Sequence, residues 1–207
     1  MSRAALLALA LTLCISAASA DDGNRSAPVE PAFDTARLVL GPVRAPVTVV
    51  IYGDLACPDT QRAWGFLRAD AADHESAVRI EFKHVVVHRN AEIGARYLDA
   101  ILLADRSKAA AFIDAAFADW PPGDAAHEPA AITAAMDRAA TSAGLDLNAV
   151  HARLDAEATA RRIRADTAEH DAFLFHGIPG VVINGARVWD EAGGAGYSDR
   201  IDAALTR

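Results

Sequence analysis

The segment Val47–Thr60 reads VTVVIYGDLACPDT and joins a strand pattern to a helix start. Val47–Tyr52 is an apolar, mostly β-branched run that Gly53 closes, which is typical of a strand buried on both faces. Cys57 follows at the start of a predicted helix, and Pro58 suits the first helical turn because its missing N–H would have no partner there. The open N–H groups and the positive dipole end of a helix favour a thiolate. The segment therefore predicts a reactive thiol at the end of a central strand.

The N-terminus has the composition of a secretory signal. Residues 1–20 combine a basic Arg3 with an apolar stretch and end in the cleavage motif Ala18-Ser19-Ala20. The stretch is too short to span a membrane, and no second one follows it. The sequence therefore predicts a periplasmic or secreted protein, cleaved after Ala20, without a membrane span.

The net charge and the number of cysteines exclude several classes of function. The net charge of the 207 residues is −8, and no basic patch is present, which argues against nucleic acid as a partner. Cys14 lies in the predicted signal, so Cys57 is the only cysteine of the mature chain. A lone cysteine in an oxidising compartment is a free thiol or pairs with another molecule. The alternative is a small buried apolar residue. No spacing of histidine, cysteine and aspartate predicts a metal site.

The first half of the chain has the pattern of a strand–helix–strand unit. A polar, proline-bearing leader at 21–35 precedes one predicted domain over 36–207. Apolar and polar residues alternate at the start of the second long strand pattern, as VRIEFKH. Two strands around one helix within about 40 residues are expected to be parallel. The predicted elements are strands at 36–40, 47–52 and 78–87, and a helix at 59–72.

The second half is helical until a terminal hairpin. Alanine-rich helical patterns fill about 91–175, broken at Asp105, Pro121 and Gly144, with a further bend near Ala156. Asn184-Gly185 is a strong signal for a two-residue hairpin turn. The predicted elements are helices at 91–104, 107–120, 129–143 and 147–175, strands at 180–183 and 187–189, and a helix at 197–205 capped by Ser198.

This order of elements resembles the DsbA-like branch of the thioredoxin superfamily, the secreted thiol–disulfide oxidoreductases. The resemblance covers about residues 38–205. It implies an α/β fold, namely a thioredoxin fold with a helical domain inserted between the βαβ unit and the C-terminal ββα unit. The segments that carry it are Ala45–Thr48, Asp54, Cys57-Pro58, His84–Ala95 and His176–Gly185, the last reading HGIPGVVING.

The resemblance also implies a substrate-binding strand at Ile178-Pro179. In the family, the proline that matches Pro179 is cis and faces the cysteine across the active site. The Ile178 main chain would then pair with an extended peptide by strand addition, in which main-chain groups supply most of the affinity. The alternative is an ordinary proline turn before a strand.

The chain departs from the family at Thr60, where the second, resolving cysteine usually stands. Cys57 is still expected to attack a disulfide and form a mixed disulfide. Because no second cysteine follows, release would need an outside thiol such as glutathione, a redox partner protein, or another cysteine of the substrate. The resemblance thus implies a single-cysteine enzyme without a bound cofactor, acting on cysteine-containing proteins.

Several side chains near Cys57 are expected to affect how readily its thiol ionises. Thr60, one helical turn later, is expected to donate its hydroxyl to the thiolate. Asp59 would oppose ionisation by its negative charge, or else interact with the helix dipole. Asp54 either moves protons or forms the turn after the strand.

The histidines are harder to place from the sequence. His176, three residues before the predicted cis-proline, is expected near the site, where a positive ring would favour the thiolate. His84 and His88 are expected at an edge or on the surface.

Two further functions fit the same pattern. A redox-silent peptide-binding or chaperone module would keep the groove beside Pro179 without any turnover. A one-cysteine peroxidase would oxidise Cys57 to a sulfenic acid, but no peroxidase motif is present. The sequence therefore favours a thiol–disulfide oxidoreductase, with Cys57 and Thr60 at its centre and the peptide-binding module as the alternative.

Overall fold

The computed structural model describes residues 33–188 and 194–206. The predicted signal at 1–20, most of the leader and Trp189 lie outside these ranges. The described strands are β1 (Leu38–Leu40), β2 (Val47–Gly53), β3 (Val78–His84), β4 (Gly180–Ile183) and β5 (Ala186–Val188). The described helices are α1 (Pro58–Asp73), α2 (Glu92–Ala104), α3 (Ala109–Asp119), α4 (Pro129–Ser142), α5 (Leu147–His151), α6 (Ala156–Ala172) and α7 (Ala195–Leu205).

The strands form one sheet in the order β1-β3-β2-β4-β5. β2 and β3 are parallel and in register from Val47 opposite Val78 to Gly53 opposite His84, as expected for a βαβ unit. The other three pairings are antiparallel. β2 lies at the centre of the sheet and is almost wholly buried, which explains its continuous apolar sequence.

The helical segment between β3 and β4 confirms the predicted insertion into an α/β fold. It contains α2 to α6, and its joints match the breaks in the sequence. The last predicted helix is divided in two because Asp155 caps α6 by accepting the Ala158 N–H at 2.9 Å. Among the described residues, no helix is long and apolar enough to cross a membrane.

The two faces of the sheet have different neighbours. The larger apolar core includes Val49, Ile51 and Phe82 and joins the sheet to α1, α7 and helices of the insertion. On the opposite face, α6 contacts β3 and carries buried polar residues such as Asp166. The prediction that His84 lies at an edge or on the surface is wrong. It is 2% exposed, and its Nε2 lies 3.4 Å from an oxygen of the buried Asp99.

The C-terminal unit follows the predicted hairpin. Asn184 and Gly185 both have positive φ, 46° and 79°, as a tight hairpin turn requires. The predicted cap of the last helix is wrong. α7 begins after Gly194, whose φ is 100°, whereas Ser198 lies inside the helix and donates its hydroxyl to Asp70 at 2.8 Å.

Candidate active site

Cys57 is the N-cap residue of α1. Its backbone is extended, and Pro58 occupies the first turn. The main-chain N–H of Thr60 donates to the Cys57 sulfur at 3.4 Å. An N–H donor at a helix start stabilises negative charge on the atom that accepts from it. The Cys57 residue is only 5% exposed, so little of its surface is open to a reacting disulfide.

Thr60 holds the start of α1 against the end of β2. The residue is fully buried, and among the described residues its Oγ1 has no hydrogen-bond partner. A Cβ placed on Gly53 would lie 2.5 Å from Thr60 Cγ2 and 2.6 Å from its Oγ1. The lack of a side chain at Gly53 therefore makes room for Thr60. The hydrogen bond expected from the Thr60 hydroxyl to the sulfur is made by its main-chain N–H instead.

Pro179 lies at the same end of the sheet as Cys57. β4 runs antiparallel to β2, with Gly180 opposite Tyr52, so Pro179 is one residue beyond the last paired position. The Ile178–Pro179 peptide bond is cis. Among the described residues, no hydrogen bond reaches the main chain of Ile178. An extended peptide can therefore pair with that main chain.

The loop that carries Ile178 is supported by α6. The half-buried Ile178 packs on a small apolar cluster. The buried His170 of α6 donates from Nε2 to the main-chain oxygen of Gly177 at 2.9 Å, and its ring stacks on Phe175 with centroids 5.2 Å apart. The other members of the apolar cluster are Val50, Tyr52, Val85, Phe173 and Val182.

Asp54 connects Cys57 to the loop after β3. Its main-chain oxygen accepts from the Cys57 N–H at 3.3 Å. Its carboxylate is buried and accepts from the main-chain N–H groups of Ala56, Val87 and His88 at 3.1, 2.9 and 3.0 Å. The same carboxylate holds the His88 ring. His88 is exposed, as predicted, and it is also tied to the site through Asp54, a contact that the sequence pattern did not indicate.

The other predicted residues are exposed to solvent. His176 and Pro58 are exposed, and among the described residues His176 makes no hydrogen bond or ion pair. Asp59 is also exposed, and its carboxylate forms an ion pair with Arg62 at 2.8 Å, which offsets its charge near the helix start. The structure thus brings Asp54, Cys57 and Thr60 together, whereas among the described residues no hydrogen bond or ion pair joins His176 to them.

The polar groups under the site belong to a buried network. The Tyr52 hydroxyl donates to Glu169 at 2.7 Å, and Lys83 pairs with the same carboxylate. Burial, then the hydrogen bond to Glu169, raises the pKa of Tyr52 far above its usual value. Among the described residues, no group of three histidines, cysteines or carboxylates is arranged to hold a metal ion.

A comparison with protein families assigns the fold. The family model described as thioredoxin matches residues 34–203. The chain belongs to the thioredoxin family. No curated protein sequence matches the chain. The family match spans the sheet, the helical insertion and α7, so the thioredoxin fold predicted from the sequence is confirmed.

Solved structures with the same fold include several DsbA-like proteins. Oxidised BdbD from Bacillus subtilis has a TM-score of 0.68 and 19% identity, and the match covers 83% of this chain and 94% of that one. A thioredoxin-like oxidoreductase from Silicibacter pomeroyi DSS-3 has a TM-score of 0.67 and 24% identity, over 84% and 95% of the two chains. The thiol-disulfide exchange protein alpha-DsbA2 from Wolbachia pipientis has a TM-score of 0.69 and 14% identity, over 83% and 88%. The predicted resemblance to DsbA-like proteins is confirmed at the level of the fold.

Proposed function

We propose that the protein is a periplasmic or secreted thiol–disulfide oxidoreductase that works through Cys57 alone. The observation that carries the proposal is the hydrogen bond from the Thr60 N–H to the Cys57 sulfur, at the end of the sheet where Pro179 also lies. Membership of the thioredoxin family and a fold shared with an oxidoreductase and a thiol-disulfide exchange protein support the reaction class. The signal-like sequence at residues 1–20 supports the location.

The proposed reaction is mixed-disulfide exchange. The Cys57 thiolate attacks one sulfur of a substrate disulfide, forms a new disulfide with it and expels the other sulfur as a thiolate. With threonine at position 60, the mixed disulfide is then opened by an external thiol such as glutathione, a redox partner, or a second cysteine of the substrate. Electrons balance in each step because one disulfide replaces another. No bound cofactor is required.

Ile178 and Pro179 would hold the substrate during this exchange. The main chain of Ile178 offers its N–H and carbonyl to an extended, cysteine-containing segment, and the apolar cluster beneath it accepts side chains of varied shape. Substrate choice would therefore depend on an exposed, unfolded stretch more than on one particular sequence.

Alkylation of the mature protein tests the reactive cysteine. At pH 6, we expect iodoacetamide to modify Cys57 at least about tenfold faster than free glutathione, because the Thr60 N–H at the helix start stabilises negative charge on the attacking sulfur. Intact mass counts the modification, and in a separate reaction the unalkylated protein should form a mixed disulfide with oxidised glutathione. Cys57→Ser is the control and should give neither product.

A redox-silent peptide-binding module is the second candidate, and the 5% exposure of Cys57 favours it. A buried thiol is ordinarily inert. If the folded protein resists alkylation at pH 6 but still binds unfolded peptides, and Cys57→Ser binds them equally well, the binding module is correct and the exchange reaction is not.

A further inference from the structure

The Asp54 carboxylate is held in place by hydrogen bonds from two loops close to Cys57. It is buried in the loop between β2 and α1 and accepts main-chain N–H groups from its own loop and from the loop after β3. Val85 adds a further main-chain bond, from its N–H to the Gly53 oxygen at 3.1 Å. The two loops are therefore held side by side at the end of the sheet that bears Cys57.

The Asp54 carboxylate orients the His88 ring. Its Nδ1 lies 3.1 Å from both carboxylate oxygens of Asp54. A carboxylate only accepts hydrogen bonds, so Nδ1 carries the hydrogen and donates it. The side chain is 42% exposed, and among the described residues Nε2 has no hydrogen-bond partner. Nε2 thus belongs to a partly exposed ring that is fixed at its other nitrogen.

Asp54 is also the link between this ring and the cysteine. Its main-chain oxygen accepts from the Cys57 N–H while its carboxylate binds the ring, so one residue fixes both groups. The other histidines next to this end of the sheet are not arranged in this way. His84 is buried against Asp99, and His176 makes no polar contact among the described residues.

We propose that His88 is the proton donor to the departing thiolate when Cys57 attacks a disulfide. This inference rests on the proposed exchange reaction. The Cys57 sulfur forms a bond to one substrate sulfur, the substrate disulfide breaks, and the departing sulfur takes the proton from Nε2 of the doubly protonated ring. Asp54 is a positioning residue that holds the ring through Nδ1. The ring regains its proton from solvent through its exposed side.

The need for such a donor depends on the leaving group. Exchange is faster when the leaving thiol is more acidic, because the expelled thiolate is then stable without a proton. An aryl thiolate leaves without assistance, whereas an alkyl thiolate, such as that of glutathione, is basic and gains from protonation. A proton donor therefore accelerates reactions with alkyl disulfides selectively. A residue that only supports the fold of the site affects both kinds of disulfide.

His88→Gln tests this assignment with two reagents. We measure the rate at which the full mature chain forms mixed disulfides with oxidised glutathione and with the aryl disulfide 5,5′-dithiobis(2-nitrobenzoate). We expect the reaction with glutathione disulfide to slow by about a hundredfold, the lower end of what a placed proton donor contributes, and the aryl reaction to stay within about twofold. His74→Gln, at the far end of α1, is the matched control and should react like the wild type with both reagents.

The possible results distinguish a wrong assignment of His88 as proton donor from a failure of the Cys57 exchange reaction itself. Equal rates for wild type and His88→Gln with both disulfides, or an equal loss with both, overturn the donor while Cys57 exchange stands. No reaction of the wild type with either disulfide overturns the exchange reaction itself, and the donor with it. Free imidazole should restore the glutathione reaction of His88→Ala and leave the wild type unchanged. A failure of that rescue, with the aryl rate intact, also counts against a donor.

Discussion

The proposed single-cysteine chemistry depends on the residue at position 60. Thr60 follows Cys57 by one helical turn, donates its main-chain N–H to the sulfur, and packs its side chain on Gly53. The side chain is fully buried, and among the described residues its hydroxyl has no partner. Threonine and cysteine are similar in size, so this position can accept a thiol without enlarging the core.

We expect Thr60→Cys to convert the site to dithiol chemistry. The two side chains lie three residues apart at the start of α1, so the new thiol can displace a substrate from the Cys57 mixed disulfide. After oxidation by oxidised glutathione and removal of that reagent, the variant should hold an internal disulfide and oxidise reduced peptides in a single turnover. Intact mass before and after alkylation reports the loss of both thiol hydrogens.

Thr60→Val is the matched control for this change. It keeps the shape of the side chain but adds no thiol, so its mixed disulfides should persist until an external thiol is supplied. Two free thiols in oxidised Thr60→Cys would show that the geometry at the helix start does not permit the internal disulfide.

The sequence predicted individual residues where a local pattern fixes their position. Cys57 at a helix start was predicted in this way, whereas the cis bond before Pro179 was implied by the family resemblance. The contact between Asp54 and His88 was missed because the two residues are 34 positions apart, and the loop after β3 carries no pattern that shows which way its side chains face. The Thr60 hydroxyl was assigned a bond that the main chain makes, since spacing alone does not distinguish the two donors.

At the level of elements, α6 positions the loop that precedes β4. His170 donates to the Gly177 oxygen at 2.9 Å and stacks on Phe175, close to the end of α6. Arg187 on β5 donates to the main-chain oxygens of Phe173 and Leu174 at 2.8 and 3.0 Å. The loop before Pro179 is thus held by a helix on one side and a strand on the other.

His170→Phe should weaken peptide binding and leave the alkylation rate of the Cys57 thiol unchanged. Phenylalanine keeps an aromatic ring but loses the hydrogen bond to Gly177, a net contribution of roughly 1 kcal/mol. We expect the Kd for an unfolded peptide to rise about fivefold, since 1.4 kcal/mol corresponds to a factor of ten. Titration of a fluorescent peptide in a Cys57→Ser background measures binding without covalent capture. A change in the Cys57 alkylation rate, with unchanged Kd, would contradict a role confined to the loop.

Most element boundaries followed from the sequence, and their errors have local causes. The β4–β5 hairpin was predicted because Asn184 and Gly185 both tolerate positive φ. The start of α7 was placed too late because a serine is a common cap, whereas the chain enters the helix through Gly194 with φ at 100°. Helix capping signals compete along a short segment, and tertiary packing selects among them.

Across the whole molecule, a layer of charged groups is buried between β3 and α6. Lys83 pairs with Glu169 at 2.7 Å, and Arg37 pairs with Asp166, which also accepts the His84 N–H. The alternation of charged and apolar residues in β3 suggested one polar side. That side is covered by a helix whose own buried residues are polar. The sequence pattern shows that one side of β3 is polar but not that α6 covers this side. The buried charged layer was therefore not predicted.

Two buried carboxyl groups of this layer, Asp99 and Glu81, have pKa values shifted in opposite directions. Burial acts to raise the pKa of Asp99, but His84 and then Thr159 and Arg162 outweigh it, so the pKa lies well below its usual value. Among the described residues, Glu81 has weaker support, a 3.5 Å hydrogen bond from the Asp34 N–H to its Oε2. It is fully buried, and among the described residues its Oε1 accepts no hydrogen bond. Burial raises the pKa of Glu81 from 4.5 to about 7, although the charge of Lys83 opposes this.

Glu81 should therefore make stability fall as pH rises. Below pH 4.5 its carboxyl is protonated in the folded and the unfolded chain alike. Between 4.5 and about 7 the unfolded chain releases this proton while the folded chain keeps it, so the unfolded chain gains in relative stability. Above about 7 the loss is complete and amounts to roughly 3 kcal/mol, at 1.36 kcal/mol for each pH unit.

We expect Glu81→Gln to remove this pH dependence, because glutamine does not titrate. Urea unfolding at intervals between pH 4.5 and 8 gives the free energy of unfolding for each variant, and the fall with pH should be smaller in Glu81→Gln by roughly 3 kcal/mol. Glu157→Gln is the control. Its side chain is 91% exposed on α6, so the substitution should leave the pH profile unchanged. Parallel profiles for wild type and Glu81→Gln would mean that Glu81 is ionised in the folded protein at neutral pH and that the layer around Lys83 neutralises it.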